Sequence, residues 1–353
     1  MTGSMSASAS SWTGHGPVAD VSDRPLHGVR CLVTGADGFI GSHLVERLVA
    51  EGALVRAFCL YNSRGSAGWL DDLSAETRAA IDIQLGDIRD ARFVEAATTD
   101  MEVVFHLAAL IAIPYSYVAP ESFIDTNVRG TLNALEGARR AGVRRFIQTS
   151  TSEVYGTPEV LPIRETHPLQ AQSPYAASKV AADQLALAYR GSYDVPVVIL
   201  RPFNTYGPRQ SERAVLPTML RQLLAGRQEI RLGRLDPRRD LTYVTDTVDG
   251  FVRAATAAGV DGATIQLGTG RSESIGELFA MACRVLGSDA RVVEDQARLR
   301  PDGSEVLVLQ SDPSHARDLL GWEARTSLED GLAATIDWLR TQPVGDDIDR
   351  VRL

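Results

Sequence analysis

Hydrophobic residues follow two patterns that alternate along this chain from residue 29 onwards. Short apolar runs rich in Val, Ile, Leu and Phe are separated by longer segments in which apolar residues recur at helical spacing. Runs of this kind are typical of strands that are buried on both faces of a sheet. They lie at 29–34, 53–60, 81–85, 102–107, 144–150 and 195–201. The alternation predicts an α/β fold, a doubly wound parallel (Rossmann) sheet with helices on both faces.

The helical segments between these runs have recognisable ends. The first begins near Phe39 and stops at Gly52, and a longer one over 128–141 stops at Gly142. Glycine commonly follows a helix C-terminus because it adopts left-handed backbone angles without strain. These stops support the assignment of the segments as crossover helices.

After about residue 205 the pattern changes, because prolines, arginines and glycines interrupt shorter elements. This region predicts a smaller C-terminal substrate-binding lobe that is interleaved with the sheet, with a ligand cleft between the two. Its predicted elements are strands at 229–232 and 263–267 and helices at 274–286 and 327–340. The predicted divisions are a flexible tail over 1–27, a Rossmann domain over 28–204, the lobe over 205–341 and a C-terminal tail over 342–353.

Composition narrows the classes of partner. The chain has 36 Lys and Arg against 45 Asp and Glu, a formal charge of −9, which argues against nucleic acid as a partner. The most apolar window, 103–113, is too short to span a bilayer, so no membrane partner is expected. The three cysteines lie in apolar segments without metal-ligand spacing, so we expect no metal site and a cytoplasmic protein.

A glycine-rich turn joins the first predicted strand to the first predicted helix. It reads T-G-A-D-G-F-I-G-S-H. Gly35 permits a tight turn, Gly38 lets backbone amides approach a pyrophosphate, and Gly41 lets the helix pack on the strand. The helix N-terminus, at Phe39 and Ile40, adds positive potential. The turn predicts dinucleotide binding because it lies where that mechanism requires it.

The rest of the predicted cofactor site is less distinctive. The second strand ends in L-Y-N-S-R-G and not in the acidic residue that usually binds the adenosine ribose. Asn62 or Ser63 would bond the ribose of NAD+, whereas Ser63 and Arg64 would hold the extra phosphate of NADP+, and the sequence leaves both open. Further contacts are predicted at the ends of the third and fourth strands, from Asp87, Ile88, Leu107, Ala108 and Ala109.

A tyrosine and a lysine share one face of a later helix. The stretch S-P-Y-A-A-S-K predicts Ser173 as the N-cap and Pro174 at the first helical position. Tyr175 and Lys179 are four residues apart and therefore lie on the same face. A lysine ammonium beside a phenol favours the phenolate, so we expect a lowered pKa for Tyr175 and a role as a base near neutral pH.

Together with Thr151 at the end of the fifth strand, these motifs resemble the extended short-chain dehydrogenase/reductase family. The resemblance covers residues 28–341 and includes R-P-F-N-T-Y-G-P-R (201–209) and R-R-D-L-T-Y-V-T-D (238–246), which are similar to that family's nucleotide-sugar segments. It implies that a nicotinamide cofactor takes a hydride from C4 of a sugar nucleotide. Tyr175 would take the O4 proton, and Thr151 would orient O4.

One residue separates the reactions of this family. Glu153, in T-S-T-S-E-V-Y-G, stands where C4 epimerases usually have a small or apolar residue and where 4,6-dehydratases and UDP-glucuronate decarboxylases have Glu. In a dehydratase Glu153 would remove the C5 proton, water would leave from C6, and the hydride would return there. We expect an apolar wall and the nicotinamide to raise the pKa of this carboxyl.

Other readings stay open beside the dehydratase. They are a C4 epimerase, a uronate decarboxylase and a non-catalytic NAD(P) sensor. Glu153 would then cap a helix or pair with an arginine. Tyr155 has no lysine after it at the required spacing, so it is expected to pack.

The choice among dehydratases rests on resemblance alone. Ser152-Glu153 is similar to the pattern of GDP-mannose 4,6-dehydratases, whereas dTDP-glucose 4,6-dehydratases carry Asp-Glu. Longer stretches resemble the bacterial N-acetylglucosamine 4,6-dehydratases of the legionaminic-acid pathway. These stretches are 106–117, 149–157, 201–211 and 298–306. The resemblance implies a nucleotide-linked hexose or N-acetylglucosamine as substrate and leaves the sugar and the nucleotide open.

Substrate contacts and assembly complete the predictions. Arg239 and Arg300 are the candidates for the nucleotide diphosphate, because guanidinium groups match phosphate oxygens. The other predicted substrate contacts are Ile111, Ser116, Asn204 and Arg209. The resemblance also implies a homodimer formed through the helices at 119–141 and 174–192.

Overall fold

The fold is taken from a computed structural model that describes residues 24–343, so most of both predicted tails, 1–23 and 344–353, lies outside the described residues. The first tail was predicted too long at its C-terminal end. Leu26 is fully buried, and the amide of Gly28 donates to the carbonyl of Gly52. Leu26 therefore packs in the apolar core beside the end of the first helix, although it lies in the predicted tail.

Strands occupy both predicted regions of the chain. In chain order they are β1 (Arg30–Thr34), β2 (Leu54–Leu60), β3 (Ile81–Gly86), β4 (Val103–His106), β5 (Arg145–Thr149), β6 (Val197–Pro202), β7 (Asn204–Tyr206), β8 (Glu229–Leu232), β9 (Arg238–Arg239), β10 (Leu241–Tyr243), β11 (Thr264–Leu267), β12 (Glu273–Ser274), β13 (Arg291–Glu294) and β14 (Val308–Leu309).

Helices separate most of these strands. In chain order they are α1 (Phe39–Ala50), α2 (Ala75–Ala79), α3 (Ala91–Thr98), α4 (Ile113–Val118), α5 (Pro120–Phe123), α6 (Gly130–Ala141), α7 (Pro174–Tyr193), α8 (Val215–Leu224), α9 (Val244–Thr256), α10 (Ile275–Leu286), α11 (Ser314–Leu320) and α12 (Leu328–Thr341). A π-helical turn, Ile124–Arg129, joins α5 to α6, and a short 3₁₀ helix, Ser152–Tyr155, follows β5.

One parallel sheet forms the centre of the molecule, which confirms the predicted fold class. Its seven strands have the order β11-β6-β5-β4-β1-β2-β3. All six sheet strands predicted from apolar runs are present, and β4 and β6 are buried along their whole length. The seventh, β11, comes from the region predicted as the interleaved lobe and pairs with β6.

Helices cover both faces of this sheet. Leu44 and Leu48 of α1 and Phe251 of α9 pack on one face. Leu135 of α6 and Ala186 of α7 pack on the other. The strand order reverses direction between β1 and β4, and ligands of such sheets bind at the carboxyl ends of the strands at that point.

The smaller lobe has a core of its own. Helices α8, α10 and α12 pack together through residues such as Met219, Leu278 and Ile336, beside the pair of strands β8 and β13. Helix α10 begins with a capping box, in which Ser274 accepts from the Glu277 amide and the Glu277 side chain accepts from the Ser274 amide. This lobe supplies the segment 296–306, which reaches the carboxyl end of the sheet.

Candidate active site

The glycine turn between β1 and α1 is shaped so closely that larger residues do not fit. Gly35 has φ +69°, and a side-chain carbon built there would lie 2.8 Å from the amide nitrogen of Ala108. At Gly41 such a carbon would lie 2.1 Å from the carbonyl oxygen of Gly35. The turn therefore packs against the end of β4 and leaves the N-terminus of α1 uncovered by side chains. That arrangement fits the pyrophosphate of a dinucleotide.

The loop after β2 is organised by one of its predicted cofactor residues. The amide nitrogen of the Asn62 side chain donates to the carbonyls of Leu60, at 3.2 Å, and Ser66, at 2.7 Å. Its side-chain oxygen accepts from the backbone amides of Arg64 and Ser66. Asn62 thus shapes the loop through its own polar atoms, and Ser63 and Arg64 are the exposed residues at its tip.

The end of β3 offers a carboxylate that already has a partner. Arg89 donates to both carboxylate oxygens of Asp87, at 2.5–3.0 Å, and this holds the pKa of Asp87 below its usual range. Ile88 is buried against Gly130 at the start of α6. Asp87 therefore lies at the predicted edge of the sheet, paired with its neighbour.

Hydrogen bonds fix the end of β4, where the nicotinamide contacts are predicted. The hydroxyl of Thr34 accepts from the amides of Leu107 and Ala108, at 3.2 and 3.1 Å, and contacts Nδ1 of His106 at 2.8 Å. Burial lowers the pKa of His106 to about 3, so the imidazole is neutral near pH 7. The hydroxyl of Thr34, at the end of β1, therefore fixes the backbone at the start of residues 107–109.

A residue missed by the sequence analysis ties this strand end to the catalytic helix. The side chain of Asn127 accepts from the amide of Leu110 at 2.8 Å and donates to its carbonyl at 2.9 Å. It also donates to the hydroxyl of Ser178 on α7 at 2.9 Å. Asn127 lies in the π-helical turn, a distortion that often accompanies function and that residue spacing does not reveal.

The predicted catalytic helix begins as expected. The hydroxyl of Ser173 accepts from the amide of Ala176, and Pro174 is the first helical residue of α7. Tyr175 and Lys179 are both buried, and the ring of Tyr175 packs edge-on against Phe123. The hydroxyl of Thr151 is close enough to the Tyr175 phenol to lower the pKa of Tyr175. The structure thus brings Thr151 at the end of β5 to the tyrosine on α7.

Burial is the main influence on the pKa values of Tyr175 and Lys179. This corrects the expectation that the pKa of Tyr175 is lowered. Loss of hydration raises the pKa of Tyr175 above its ordinary value; the Thr151 hydroxyl lowers it, and the charge of Glu153 raises it further. The predicted lowering is therefore wrong for the protein alone, because desolvation of the phenolate outweighs the other contributions. Burial also lowers the pKa of Lys179 to about 8, against the charge of Asp183, which raises it.

Glu153 lies in the 3₁₀ helix Ser152–Tyr155, whose first turn is capped by the Thr151 hydroxyl accepting from the Glu153 amide at 3.3 Å. Its carboxylate is 3.8 Å from Nη1 of Arg300. Arg239, which is buried, is close enough for its pKa to respond to the charge of Glu153. Arg300 and Arg239 therefore bring two guanidinium groups into the surroundings of this carboxylate.

The two predicted phosphate-binding arginines differ in how many of their donors are already bonded within the protein. Arg239 donates to the carbonyl of Val306 at 2.8 Å and forms an ion pair with Glu305 at 3.2 Å. Nη1 of Arg300 is buried and has no hydrogen-bond partner among the described residues. The side-chain oxygen of Asn204 is likewise buried without one. Arg300 and Asn204 are therefore the better placed of the predicted contacts to receive a ligand.

Three other predicted substrate contacts lie in different surroundings. Ile111 is 65% exposed at the loop after β4. Ser116 is fully buried and donates to the carbonyl of Ile113 within α4, so it does not line the cleft. Arg209 forms an ion pair with Glu46 of α1 at 2.6 Å, which holds it against the first helix. Exposure and long-range pairing decide these placements, and neither is readable from the local sequence.

Two searches across residues 24–343 complete the description of the site. No helix in this range is long and apolar enough to cross a membrane. No group of three or more His, Cys, Asp and Glu residues in the same range is arranged to hold a metal ion.

Comparison with known proteins shows the family to which this chain belongs. The sequence model of the family described as GDP-mannose 4,6 dehydratase matches residues 32–335. The chain belongs to the extended short-chain dehydrogenase/reductase family. Within it, the relatives are nucleotide-sugar dehydratases and epimerases, as the predicted resemblance implied.

Family members that catalyse one or the other reaction are similar to this chain over most of its length. A UDP-glucose 4-epimerase of Mycolicibacterium smegmatis is 37% identical over 329 residues, covering 89% of this chain and 99% of the relative. A dTDP-glucose 4,6-dehydratase of Actinoplanes sp. is 34% identical over 320 residues, with coverages of 88% and 98%. A double mutant of the dTDP-glucose 4,6-dehydratase of Streptomyces venezuelae, solved with NAD bound, superposes with a TM-score of 0.79 at 32% identity, covering 89% of this chain and 97% of that chain.

Proposed function

We propose that this protein is a nucleotide-sugar 4,6-dehydratase that uses bound NAD+. The observation that carries the proposal is the position of Glu153, a carboxylate held in the turn between Thr151 and Tyr155 and close enough to Tyr175 to influence its pKa. A C4 epimerase needs Thr151, Tyr175 and Lys179 but has no chemical use for this carboxylate.

The cofactor is proposed from the glycine turn and from the relative solved with NAD. Gly35, Gly38 and the N-terminus of α1, with Phe39, Ile40 and Gly41, would hold the pyrophosphate. Residues 107–109 would flank the nicotinamide. When bound, NAD+ supplies the hydride acceptor for C4 and the donor for C6. Ser63 and Arg64 remain the candidates for the phosphate of NADP+ if the cofactor is that one.

The chain's own residues supply the proton transfers. Tyr175 accepts the O4 proton while Thr151 orients O4, and the Lys179 ammonium favours the phenolate that makes this transfer effective. Once C4 is a ketone, the C5 proton is acidic, and Glu153 accepts it. Glu153 then returns a proton to the C6 hydroxyl as the C6–O bond breaks and water leaves. Once C6 is reduced, C5 takes up one proton, which balances the proton that Tyr175 removed from O4, and the product is a 4-keto-6-deoxy sugar nucleotide.

The substrate is proposed to be a nucleotide-diphosphate hexose or N-acetylglucosamine. Arg300 would contact the diphosphate, because its Nη1 is buried without a hydrogen-bond partner among the described residues. Asn204 would contact the substrate beside it, and Ile111 would face the sugar. The test is mass spectrometry of the purified enzyme with UDP-, GDP- and dTDP-hexoses and their N-acetylglucosamine forms. Loss of one water from one compound supports the proposal, and loss from none contradicts it.

A C4 epimerase is the second candidate, and one observation favours it. The epimerase of Mycolicibacterium smegmatis is 37% identical to this chain, against 34% for the Actinoplanes dehydratase. Ser152 also precedes Glu153 where dTDP-glucose dehydratases carry Asp. The same panel separates the two functions, because epimerisation changes the sugar configuration and leaves the mass unchanged.

Glu153→Gln tests the role of the carboxylate directly. The substitution keeps the size of the side chain and removes its ability to take a proton. We expect C4 oxidation to continue while water release falls about 10²-fold or more, the usual contribution of a general base. Rapid-quench mass spectrometry of one turnover measures both steps. Water release at the wild-type rate would show that Glu153 is not the base.

Assembly as a homodimer is proposed from the exposed apolar residues of the predicted helices. Ile124 is 50% exposed, Leu132 is 38% exposed and Tyr193, at the end of α7, is 56% exposed. Large apolar side chains clustered on one side of a molecule often mark an interface. Sedimentation equilibrium of the purified protein tests this proposal, and a single monomeric species would contradict it.

A further inference from the structure

A buried ion pair lies behind the turn that carries Glu153. Nη2 of Arg201, on β6, is 3.0 Å from a carboxylate oxygen of Asp183, on α7, and the two side chains are 4% and 0% exposed. Burying two charges costs hydration energy that mutual attraction repays only when further hydrogen bonds satisfy both groups. The proton transfers proposed above use neither residue, so the retention of this pair needs another explanation.

The further partners of the pair lie at both ends of one segment. The hydroxyl of Ser150 donates to Asp183 at 2.7 Å. Nη1 of Arg201 donates to the hydroxyl of Tyr155 at 2.9 Å, and its guanidinium lies 5.0 Å from the centre of the Tyr155 ring. The side chain of Gln266, on β11, donates to the same hydroxyl at 2.7 Å. Ser150 and Tyr155 flank the residues that carry the chemistry.

The same pair also reaches the catalytic helix. Asp183 is four residues after Lys179, which in turn is four residues after Tyr175, so the three follow one face of α7. All three are buried. The ion pair therefore connects the helix that carries Tyr175 and Lys179 to the segment 150–155 that carries Thr151 and Glu153. It is a cross-link between the two halves of the site.

We propose that the Asp183–Arg201 pair, acting through Ser150 and Tyr155, positions Glu153 relative to Tyr175. Tyr155 is the chief positioning residue, because it lies two residues after Glu153 in the same 3₁₀ helix and accepts two hydrogen bonds from the sheet. The proposal rests on the proposed dehydratase function. Neither Tyr155 nor the ion pair touches the reacting atoms. A displacement of about 1 Å at a reacting group can cost about 10²-fold in rate, so small losses of anchoring are measurable.

Tyr155→Phe is the decisive variant. It keeps the ring over Arg201 and removes the hydroxyl that accepts from Arg201 and Gln266. We expect water release to fall about 10- to 100-fold, while C4 oxidation and the KM of the sugar nucleotide stay within about twofold. Reduced nicotinamide should then accumulate during a single turnover and be visible by its near-ultraviolet absorbance.

Tyr206→Phe is the matched control. Tyr206 is equally buried, and its hydroxyl donates to the Leu328 carbonyl at 3.4 Å, away from the segment 150–155. Loss of this hydroxyl should lower the melting temperature without changing the ratio of oxidation to water release. If Tyr155→Phe behaves in the same way, its role is structural and the proposal is wrong.

Gln266→Met is the milder variant in case Tyr155→Phe does not fold. It removes one of the two donors to Tyr155 and leaves the bond from Arg201 in place. The same shift toward accumulated reduced nicotinamide is expected, with a smaller size. An unchanged ratio in this variant overturns the proposal. A wild-type enzyme that oxidises C4 without releasing water would overturn the dehydratase function, and the proposal with it.

Discussion

The segments 150–155 and 296–306 both contribute to the surroundings of Glu153, and they are held in different ways. In the first, Ser152, Val154 and Tyr155 are buried, and Ser150 and Tyr155 at its ends are bonded to a buried ion pair. The second contains two short 3₁₀ turns and several exposed residues, among them Pro301 and Gly303.

The second segment has anchors near its C-terminal end, in addition to the ion pair of Arg298 with Asp295 at its N-terminal end. The hydroxyl of Ser304 donates to the carbonyl of Gln172 at 2.8 Å and contacts the hydroxyl of Tyr117. The carbonyl of Val306 accepts from Arg239 at 2.8 Å. Arg300, which precedes the C-terminal anchors in the chain, is 27% exposed, and its Nη1 is 3.8 Å from the carboxylate of Glu153.

From this difference we infer that the segment 150–155 holds the groups that transfer protons, whereas the segment 296–306 contributes to substrate recognition. Groups that transfer protons must be held within a few tenths of an ångström, and a buried segment with bonds at both ends achieves this. A segment with irregular structure and exposed residues can adjust to sugars and nucleotides of different shape. Such a division accounts for a family in which similar chains are epimerases and dehydratases acting on different nucleotide sugars.

The largest expected effect is on the fixed side of the site. Tyr175→Phe removes the phenol that lies close to the Thr151 hydroxyl and would accept the O4 proton. We expect turnover to fall about 10³-fold or more, within the range of a lost general base. Steady-state turnover measures this, with Tyr206→Phe as the control for losing a buried hydroxyl. Turnover within about tenfold of wild type would remove Tyr175 from the chemistry.

The next largest effect is expected in the segment 296–306, at Arg300. Arg300→Gln removes a charge that would meet the diphosphate, and hydrogen bonds to charged groups contribute about 1.5–3 kcal/mol. We expect KM for the sugar nucleotide to rise about 10- to 100-fold, with kcat within about threefold.

Arg298→Gln is the control for this variant, because Arg298 lies in the same segment and pairs with Asp295 at 3.1 Å. It should leave KM close to the wild-type value. A fall in kcat with unchanged KM for Arg300→Gln would instead place Arg300 in the chemistry of Glu153.

The smallest effect concerns stability, and it tests whether Lys179 carries its charge in a buried position. Burial lowers the pKa of Lys179 from 10.5 to about 8. Between these pH values the unfolded chain binds a proton that the folded chain does not, so stability from this group rises with pH across that window. Below pH 8 the lysine is charged in both states, and the folded protein bears the net cost of holding that charge in a buried position.

Lys179→Met removes this titration. The difference in unfolding free energy between the variant and the wild type should therefore favour the variant most near pH 7 and shrink as the pH approaches 10. Denaturant titrations at both pH values measure the difference. A difference that does not change with pH would contradict the burial of a charged Lys179.

Local spacing was sufficient for several parts of the site. The glycine turn, the N-cap at Ser173 and the pair Tyr175 and Lys179 involve residues within one turn or one helix, so sequence separation fixes their geometry. The same four-residue rule, extended by one step, would have identified Asp183. Tyr155 was expected only to pack, and it does so while its hydroxyl also accepts two hydrogen bonds.

Long-range contacts decide the placement of several predicted substrate residues. Ser116 is buried by the packing of α4, and Arg209 is drawn to Glu46 of α1. Arg300 approaches Glu153 because the segment 296–306 folds over the cleft. The two arginine contacts join residues more than a hundred positions apart, and the burial of Ser116 depends on how α4 packs, neither of which residue spacing encodes.

The sequence by itself determined the parallel sheet, and it picked out the glycine turn and the candidate catalytic groups, because hydrophobic period and short spacings act within single elements. Only the tertiary structure decided the protonation and the anchoring of those groups. Burial, which raises the pKa of Tyr175 and lowers that of Lys179, is a property of the packed molecule. The Asp183–Arg201 pair likewise exists only when α7 and β6 are brought together, and through it the fold holds Glu153 in place.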